Sequence, residues 1–536
     1  MLNTSPQMDS SQTKRDPVLV FTVIFITLLG LAIRIAQPLQ ASFPLKDGGL
    51  FYEMIMDLRN AHYALPAYTT YNSATIPFAY PPLAFYLTGW LADQFHLPLL
   101  DLVRLLPGII SGLTIPAFYL LAREITTSKV QIVLAVFVFA MLPHDFEWLI
   151  MGGGITRALG LFFALLTMTF AYHFYTEHKT RHFLACILLG ALTVLTHPEA
   201  TVHTALTALV FYLWRDRSWK GFLLSLLMAA GVLALTYPWW NSIVSQHGIA
   251  PFLAAMNASR QDSVNPLLRL FFFLRFLFTD EPFLPILAML GLVGFFASLA
   301  RRQTLLPAWM FILYLAEPRG GPLFMMIPLA LLIGYALENV ILPVLNPKGD
   351  NAPANTAQAL ENILRGRTAR YFLLFLFAYS LMSVFATVVK IEQELSLGPA
   401  DLEAFKWVKE NTPAKSQFLL ITGQLPLRDA WSEWFPVLTG QHSQATVFGY
   451  EWVNDGQFGQ RVEAYQDLQA CAYKNTTCLD TWNQGSSQDY SYVYVFDRAG
   501  PTRLPITIYM QADTNYKLLF QNEQTMIFQK IQPASD

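Results

Sequence analysis

Along most of this chain apolar residues run on for whole segments instead of alternating with polar ones. Stretches near the ~20 residues that a bilayer crossing needs recur between residues 18 and 390. They predict eleven helical crossings, at 18 to 38, 103 to 122, 130 to 148, 157 to 176, 182 to 197, 199 to 214, 221 to 241, 283 to 300, 304 to 316, 322 to 342 and 371 to 389. One more apolar segment, YPPLAFYLTGWLADQF at 80 to 95, opens on Pro81 and Pro82, which start a helix well, and is short for a tilted span. It reads as re-entrant or interfacial; counted as a crossing it would be a twelfth span, within a range of about 11 to 13.

After residue 390 the pattern changes. DLEAFKWVKENTP has helical spacing and stops at Asn411 and Pro413. SQFLLITG, SYVYVFD and the pair YKLLFQ/QTMIFQKI are rich in β-branched and aromatic residues, the last two joined by Asn522-Glu523 as in a hairpin. Three regions follow: a cytoplasmic tail at 1–17, a transmembrane domain at 18–390 with a long outer loop at 39–79, and a soluble α/β domain at 391–536. The fold class is a polytopic α-helical membrane protein with a C-terminal extracytoplasmic α/β domain.

Composition agrees: of 536 residues, 54% are hydrophobic and 13% charged, against roughly 25% charged in a soluble protein. A net charge of −2 with no basic tail argues against a nucleic-acid partner. Charge position sets the sides. Lys14/Arg15, Arg123/Lys129, Lys179/Arg181, Arg215/Arg217/Lys220, Arg301/Arg302 and Lys348/Arg365/Arg367/Arg370 fall at every second loop, which places those loops in the cytoplasm. Treating 80 to 95 as a full span would put Arg123 and Lys129 outside. An odd number of crossings from an inner N-terminus leaves the last domain outside. The first apolar run is full length and has no small-residue cleavage site, so it reads as a retained helix. Cys186 sits in an apolar run as a small hydrophobe, whereas the Cys471 and Cys478 spacing allows a disulfide, which an oxidising compartment would favour.

The loop at 39–79 carries Lys46, Asp47, Glu53, Asp57, Arg59 and many tyrosines, and long ordered loops are usually functional. GGLFYEMIMDLRN predicts a helix lying on the membrane surface, with Asp47 just before it as a structural N-cap or a reactive carboxylate. Polar residues also gather at the predicted outer span ends: His144, Asp145, Glu147, Arg157, His197, Glu199, Asn241, Arg260, Asp280, Glu281, Glu317 and Arg319. In THPEA, Pro198 fixes a turn between His197 and Glu199, either a solvated helix corner or part of a site. Arg319 lies beside glycines in EPRGGP, and its guanidinium, like that of Arg157, suits a lipid phosphate. The aromatics of AWSEWFP (430 to 436) and YEW (450 to 452) are expected to pack onto the membrane domain rather than stack on sugar rings.

An Arg in the outer half of the first helix (Arg34), an acid in the first outer loop (Asp47), YPPL at 80 to 83, and a span running from Arg-Leu-Leu-Pro to LLARE follow one another in order. This ensemble resembles the GT-C superfold of membrane glycosyltransferases, which includes the protein O-mannosyltransferases, the lipid A aminoarabinose transferase and the bacterial glycosyltransferase 39-like proteins. The similarity covers about the first 340 residues, and the C-terminal elements look like the outer domain of bacterial relatives. The resemblance implies that Asp47 is the catalytic base, deprotonating an acceptor hydroxyl as it attacks the anomeric carbon. Arg34, Glu53, Arg157, His197, Glu199 and Arg319 are the candidates for substrate binding around it. Many relatives carry a second acid at a later span end, where this chain has GGGITRALG with Arg157; Asp145, Glu147, Glu199 and Glu281 remain as candidates.

The implied activity is transfer of a hexosyl or pentosyl group from a polyprenyl-phosphate donor to a protein, lipid or glycan acceptor at the outer face of the plasma membrane. The cytoplasmic loops offer no Gly-rich phosphate cradle for a nucleotide sugar. No clear ligand cluster encodes a divalent metal, and metal dependence is left open. Two rivals are a transporter or flippase of lipid-linked saccharide, which inverted repeats would mark, and a non-catalytic glycan-binding scaffold.

Overall fold

The computed structural model describes residues 16–261, 266–276, 278–316, 320–346, 356–394, 397–486, 489–497 and 503–531. Eleven helices correspond one to one to the predicted crossings: Pro17–Gln40, Leu99–Ile125, Lys129–Met141, Gly154–Glu177, Thr180–Val194, Pro198–Arg215, Trp219–His247, Ile286–Ala300, Leu305–Ala316, Gly321–Leu345 and Arg367–Glu394. Six of them are both long and apolar enough to cross a bilayer. The chain is a multi-pass membrane protein.

Burial sorts these helices into layers. Gly154–Glu177 and Gly321–Leu345 are buried over 72% and 78% of their apolar windows and form the centre. Pro17–Gln40 and Trp219–His247 are buried over 22% and 17%, leaving leucines and phenylalanines outward, as lipid-facing helices do. The first helix is started by Asp16, which accepts from Val18 N and Leu19 N ahead of Pro17. Asp16 also binds Lys129 Nζ at 3.0 Å and Thr356 N at 3.0 Å, so three predicted cytoplasmic segments meet at one end of the bundle.

Two segments bear on where the polar residues lie. The predicted span 130 to 148 ends at Met141, because Leu142-Pro143 turns extended and starts the short helix Pro143–Phe146; His144, Asp145 and Glu147 therefore lie beyond the span. The segment at 80 to 95 forms the helix Leu83–Phe95, which at 1.5 Å per residue is about 20 Å long.

The last domain contains a five-stranded sheet in the order His442–Ser443, Gln417–Ile421, Tyr492–Phe496, Thr525–Lys530, Tyr516–Gln521. The first three strands are parallel and the last two form the expected antiparallel hairpin. Side chains alternate across it with a period of two. Phe418, Leu420, Tyr492, Tyr494 and Ile527 face the helix Pro399–Asn411 and the membrane domain. Leu419, Ile421, Val493, Val495 and Phe528 face the helices that carry the Cys471–Cys478 disulfide. Both faces are covered, which is why the central strands read as continuous apolar runs.

Candidate functional site

Asp47 sits in a loop that is clamped against the start of the helix Gly154–Glu177. Gly152 N donates to Leu45 O at 2.9 Å, and a Cβ on Gly152 would lie 2.0 Å from Asp47 O, so only glycine permits this approach. The chain then turns at Gly48, whose φ of 120° lies where side chains are strained. The Asp47 carboxylate is thereby aimed at a helix N-terminus: Oδ1 accepts from Gly153 N at 2.9 Å and Oδ2 from Arg157 Nη2 at 2.6 Å. The Gly153 amide and the helix dipole favour an anion there. Arg157 Nε is buried and makes no hydrogen bond among the described residues.

The helix Gly49–Asn60 that follows is not capped by Asp47. Its N-cap is Gly48, and the capping carboxylate comes from the sheet domain: Glu433 accepts from Gly48 N at 3.1 Å and Leu50 N at 3.1 Å. Burial, then the charge of Asp47, pushes the Glu433 carboxyl up to about 8. Trp434 Nε1 donates to Lys46 O at 3.1 Å, its ring meets Phe43 edge-on at 4.7 Å, and Tyr71 Oη donates to Glu433 O at 2.9 Å. Trp434 of AWSEWFP thus packs onto the membrane domain.

Three cations share one aromatic ring beside Asp47. Lys46 Nζ lies 4.0 Å from the Trp148 centroid, Arg428 Cζ 5.3 Å and Arg157 Cζ 5.7 Å. Their repulsion is eased by the ring face and by Asp47. Lys46 is only 3% exposed, and burial pushes its ammonium down to about 8, with Asp47 opposing the shift. On the other side His144 Nδ1 meets Asp280 Oδ2 at 2.5 Å, and Glu147 faces the charges of Asp280, Lys390, Lys46 and His144. An apolar groove of about 380 Å³, lined by Phe283, Met382, Phe385, Ala386, Val389 and Lys390, ends at this group. The arrangement offers an anion platform at the head of an apolar groove, next to a fixed carboxylate.

The remaining sequence candidates are placed as follows. Arg34 is wholly buried inside the bundle, donating to Ser111 Oγ at 3.1 Å and Ala140 O at 2.8 Å, with Asp145 as its electrostatic partner. Glu53 accepts from Thr70 Oγ1 at 2.7 Å, on the side of the loop helix where Asp57 holds Thr69 and Thr70. His197 caps the helix Pro198–Arg215, its Nδ1 accepting from Ala200 N at 3.4 Å, and its ring lies 6.4 Å from Tyr80. Glu199 is in the first turn of that helix. Glu281 accepts from Leu287 N and Ala288 N and from Tyr379 Oη, so it caps a helix. Arg319 lies outside the described residues. The sequence reading missed Lys46, Trp148, Arg428 and Glu433 as members of the Asp47 site. Among the described residues, no group of three His, Cys, Asp or Glu side chains with donor atoms in metal-binding reach lies around Asp47.

No protein-family model matches this chain, and no curated protein does either. Solved structures do. The Archaeoglobus fulgidus oligosaccharyltransferase tethered with an acceptor peptide superposes with a TM-score of 0.55 at 14% identity, covering 90% of this chain and 69% of that one. ArnT from Cupriavidus metallidurans bound to undecaprenyl phosphate gives 0.55 at 13% identity, over 95% of this chain and 97% of that one. This is the GT-C fold. The mycobacterial arabinofuranosyltransferase AftD shares it as well, with a TM-score of 0.55 at 15% identity over 96% of this chain and 40% of that one. The match to ArnT covers nearly the whole of both chains.

Proposed function

We propose that this protein is a membrane glycosyltransferase that moves a hexosyl or pentosyl group from a polyprenyl-phosphate donor to an acceptor hydroxyl on the extracytoplasmic side. The observation that carries the reading is the Asp47 carboxylate, fixed by Gly153 and Arg157 beside a ring shared by Lys46, Arg157 and Arg428, within a GT-C fold. The acceptor oxygen attacks the anomeric carbon, its proton passes to Asp47, and the bond from that carbon to the phosphate oxygen breaks. The charge left on the lipid phosphate falls to the cations around Trp148, Arg157 offering its Nε–H. The groove that ends at Lys390 takes the first part of the polyprenyl chain. Placement outside the cytoplasm is supported by the Cys471–Cys478 disulfide and by the alternation of basic loops.

The test is sugar transfer by purified protein in liposomes with labelled lipid-linked donors, comparing wild type with Asp47→Asn. A positioned general base contributes roughly 10²- to 10⁴-fold. A fall in that range with donor binding intact is expected. Full transfer by Asp47→Asn would remove the mechanism, and saturable glycan binding with no turnover by wild type would favour a scaffold.

A further inference from the structure

At the end of the bundle opposite Asp47, titratable side chains gather that the proposed reaction does not use. His173 and Glu177 stand four residues apart on one face of the helix Gly154–Glu177, and His182 enters from the next helix, Thr180–Val194, after a tight turn at His178. Donor atoms of the three lie within 4.8 Å of one another. A fourth group is at hand, for Glu124 Oε2 is 3.3 Å from His173 Nε2. His182 Nδ1 is 3.7 Å from Glu177 Oε2, and the two imidazole rings are 4.8 Å apart.

We propose that His173, Glu177 and His182, with Glu124 as fourth ligand, form a structural site for a divalent first-row transition metal that clamps this helical hairpin. The bond pattern of His182 carries the argument. The residue is 4% exposed, its Nε2 accepts from Arg181 Nε at 3.0 Å, and its Nδ1 is buried and makes no hydrogen bond among the described residues. A neutral ring in that arrangement holds its proton on Nδ1, buried and beyond hydrogen-bond reach of Glu177, an unfavourable state. A metal on Nδ1 removes the problem: that proton is released, Nε2 takes one up from solvent, and the exposed Arg181 swings away. Ligand atoms across a tetrahedral zinc at ~2.0–2.1 Å lie roughly 3.4 Å apart. The 3.3 and 3.7 Å separations already fit, and the widest closes by side-chain rotation. Two imidazoles with two carboxylates suit zinc, cobalt or nickel better than magnesium or calcium. Lys179 on Glu177 at 2.8 Å and Arg123 on Glu124 at 3.0 Å compete for the carboxylates, but both are half-exposed ion pairs, which are weak. His173 is 16 residues from Arg157 along the same helix, about 24 Å, so the metal would set the hairpin and take no part in transfer.

The test uses full-length protein in detergent, free of any affinity tag and stripped with a chelator, titrated with zinc chloride by calorimetry and with cobalt chloride by visible absorption. Saturable binding of about one equivalent is expected, with a tetrahedral cobalt spectrum and a rise in melting temperature. Because His182 is buried, the variants are Glu177→Gln and His173→Gln, both on partly exposed positions, and each is expected to weaken binding at least about tenfold. Absence of saturable binding by wild type, or wild-type affinity in both variants, would overturn the proposal. Loss of sugar transfer by Asp47→Asn has no bearing on these readouts.

Discussion

The carboxylate of Glu433, carried by the sheet domain, accepts the backbone N–H of Gly48, the residue that follows Asp47, at 3.1 Å. The sheet domain therefore holds the Asp47 loop through its backbone, at the helix start that Asp47 leaves uncapped. Because burial raises the Glu433 carboxyl to about 8, from an ordinary value near 4.5, the folded protein keeps a proton that the unfolded chain has lost. Stability from this group is thus full below about 4.5 and falls as pH rises towards about 8. Hydrogen exchange in the helix Gly49–Asn60, measured relative to Glu433→Gln at each pH, should become faster in wild type across that window. Glu433→Ala should lose the cap at every pH, a cost of about 1 kcal/mol. Equal pH dependence in wild type and Glu433→Gln would refute the assignment.

A second expectation concerns Gly152. An added Cβ would lie 2.0 Å from Asp47 O, and the contact is with backbone, which cannot rotate aside. Gly152→Ala should push the Asp47 loop from the helix N-terminus and cut transfer by about 10²-fold, as misplacement of ~1 Å can. Gly485, whose Cβ would meet nothing, supplies the control: Gly485→Ala should leave transfer unchanged. The readout is turnover at saturating donor, with melting temperature checked in parallel.

What could be read before folding, and what could not, follows from the range of the interactions. Crossings are legible because a helix in lipid satisfies its own backbone and must be apolar along its whole length. The hairpin Tyr516–Gln521/Thr525–Lys530 is legible because its partners are adjacent. Asp47 stands out as an acid in a long polar loop of an apolar chain. Glu433 does not, since its bond to Gly48 spans 385 positions and nothing near AWSEWFP announces a cap for another domain's helix. Arg428 and Trp148 are hidden for the same reason. Arg34 reads as a site because it is a charge in a span, and the sequence does not announce the hydrogen bonds by which it ties three helices together. Folding also divides the polar span ends among jobs, with Glu281 and His197 spent on helix starts.

If the cations around Trp148 bind the donor phosphate as proposed, they give donor binding a pH signature. Lys46 is pushed down to about 8, so its positive charge is present below that value and lost above it. Affinity for the lipid-phosphate donor should therefore weaken as pH rises through about 8, and Lys46→Arg should flatten the profile. Arg428→Gln, on an exposed position, should raise the donor KM about tenfold with a smaller effect on kcat, and should reduce the salt dependence of KM. A fall in kcat alone would instead place Arg428 among groups that act only in the transition state.

The last expectation separates structure from catalysis at Arg34. Its guanidinium is wholly buried, lies 5.1 Å from the Phe146 ring and opposes Asp145, whose two carboxyl oxygens make no hydrogen bond among the described residues. Removing one partner of a buried charge pair leaves the other uncompensated and costs about 3–5 kcal/mol, whereas removing both is close to neutral. Arg34→Met should lower the melting temperature of the detergent-solubilised protein markedly, and Arg34→Met with Asp145→Leu should recover much of the loss. If Arg34 bound substrate directly, the double variant would regain stability and still show a raised donor KM. A staple predicts that KM returns with the fold, so melting and KM measured on the same three proteins decide between the two roles.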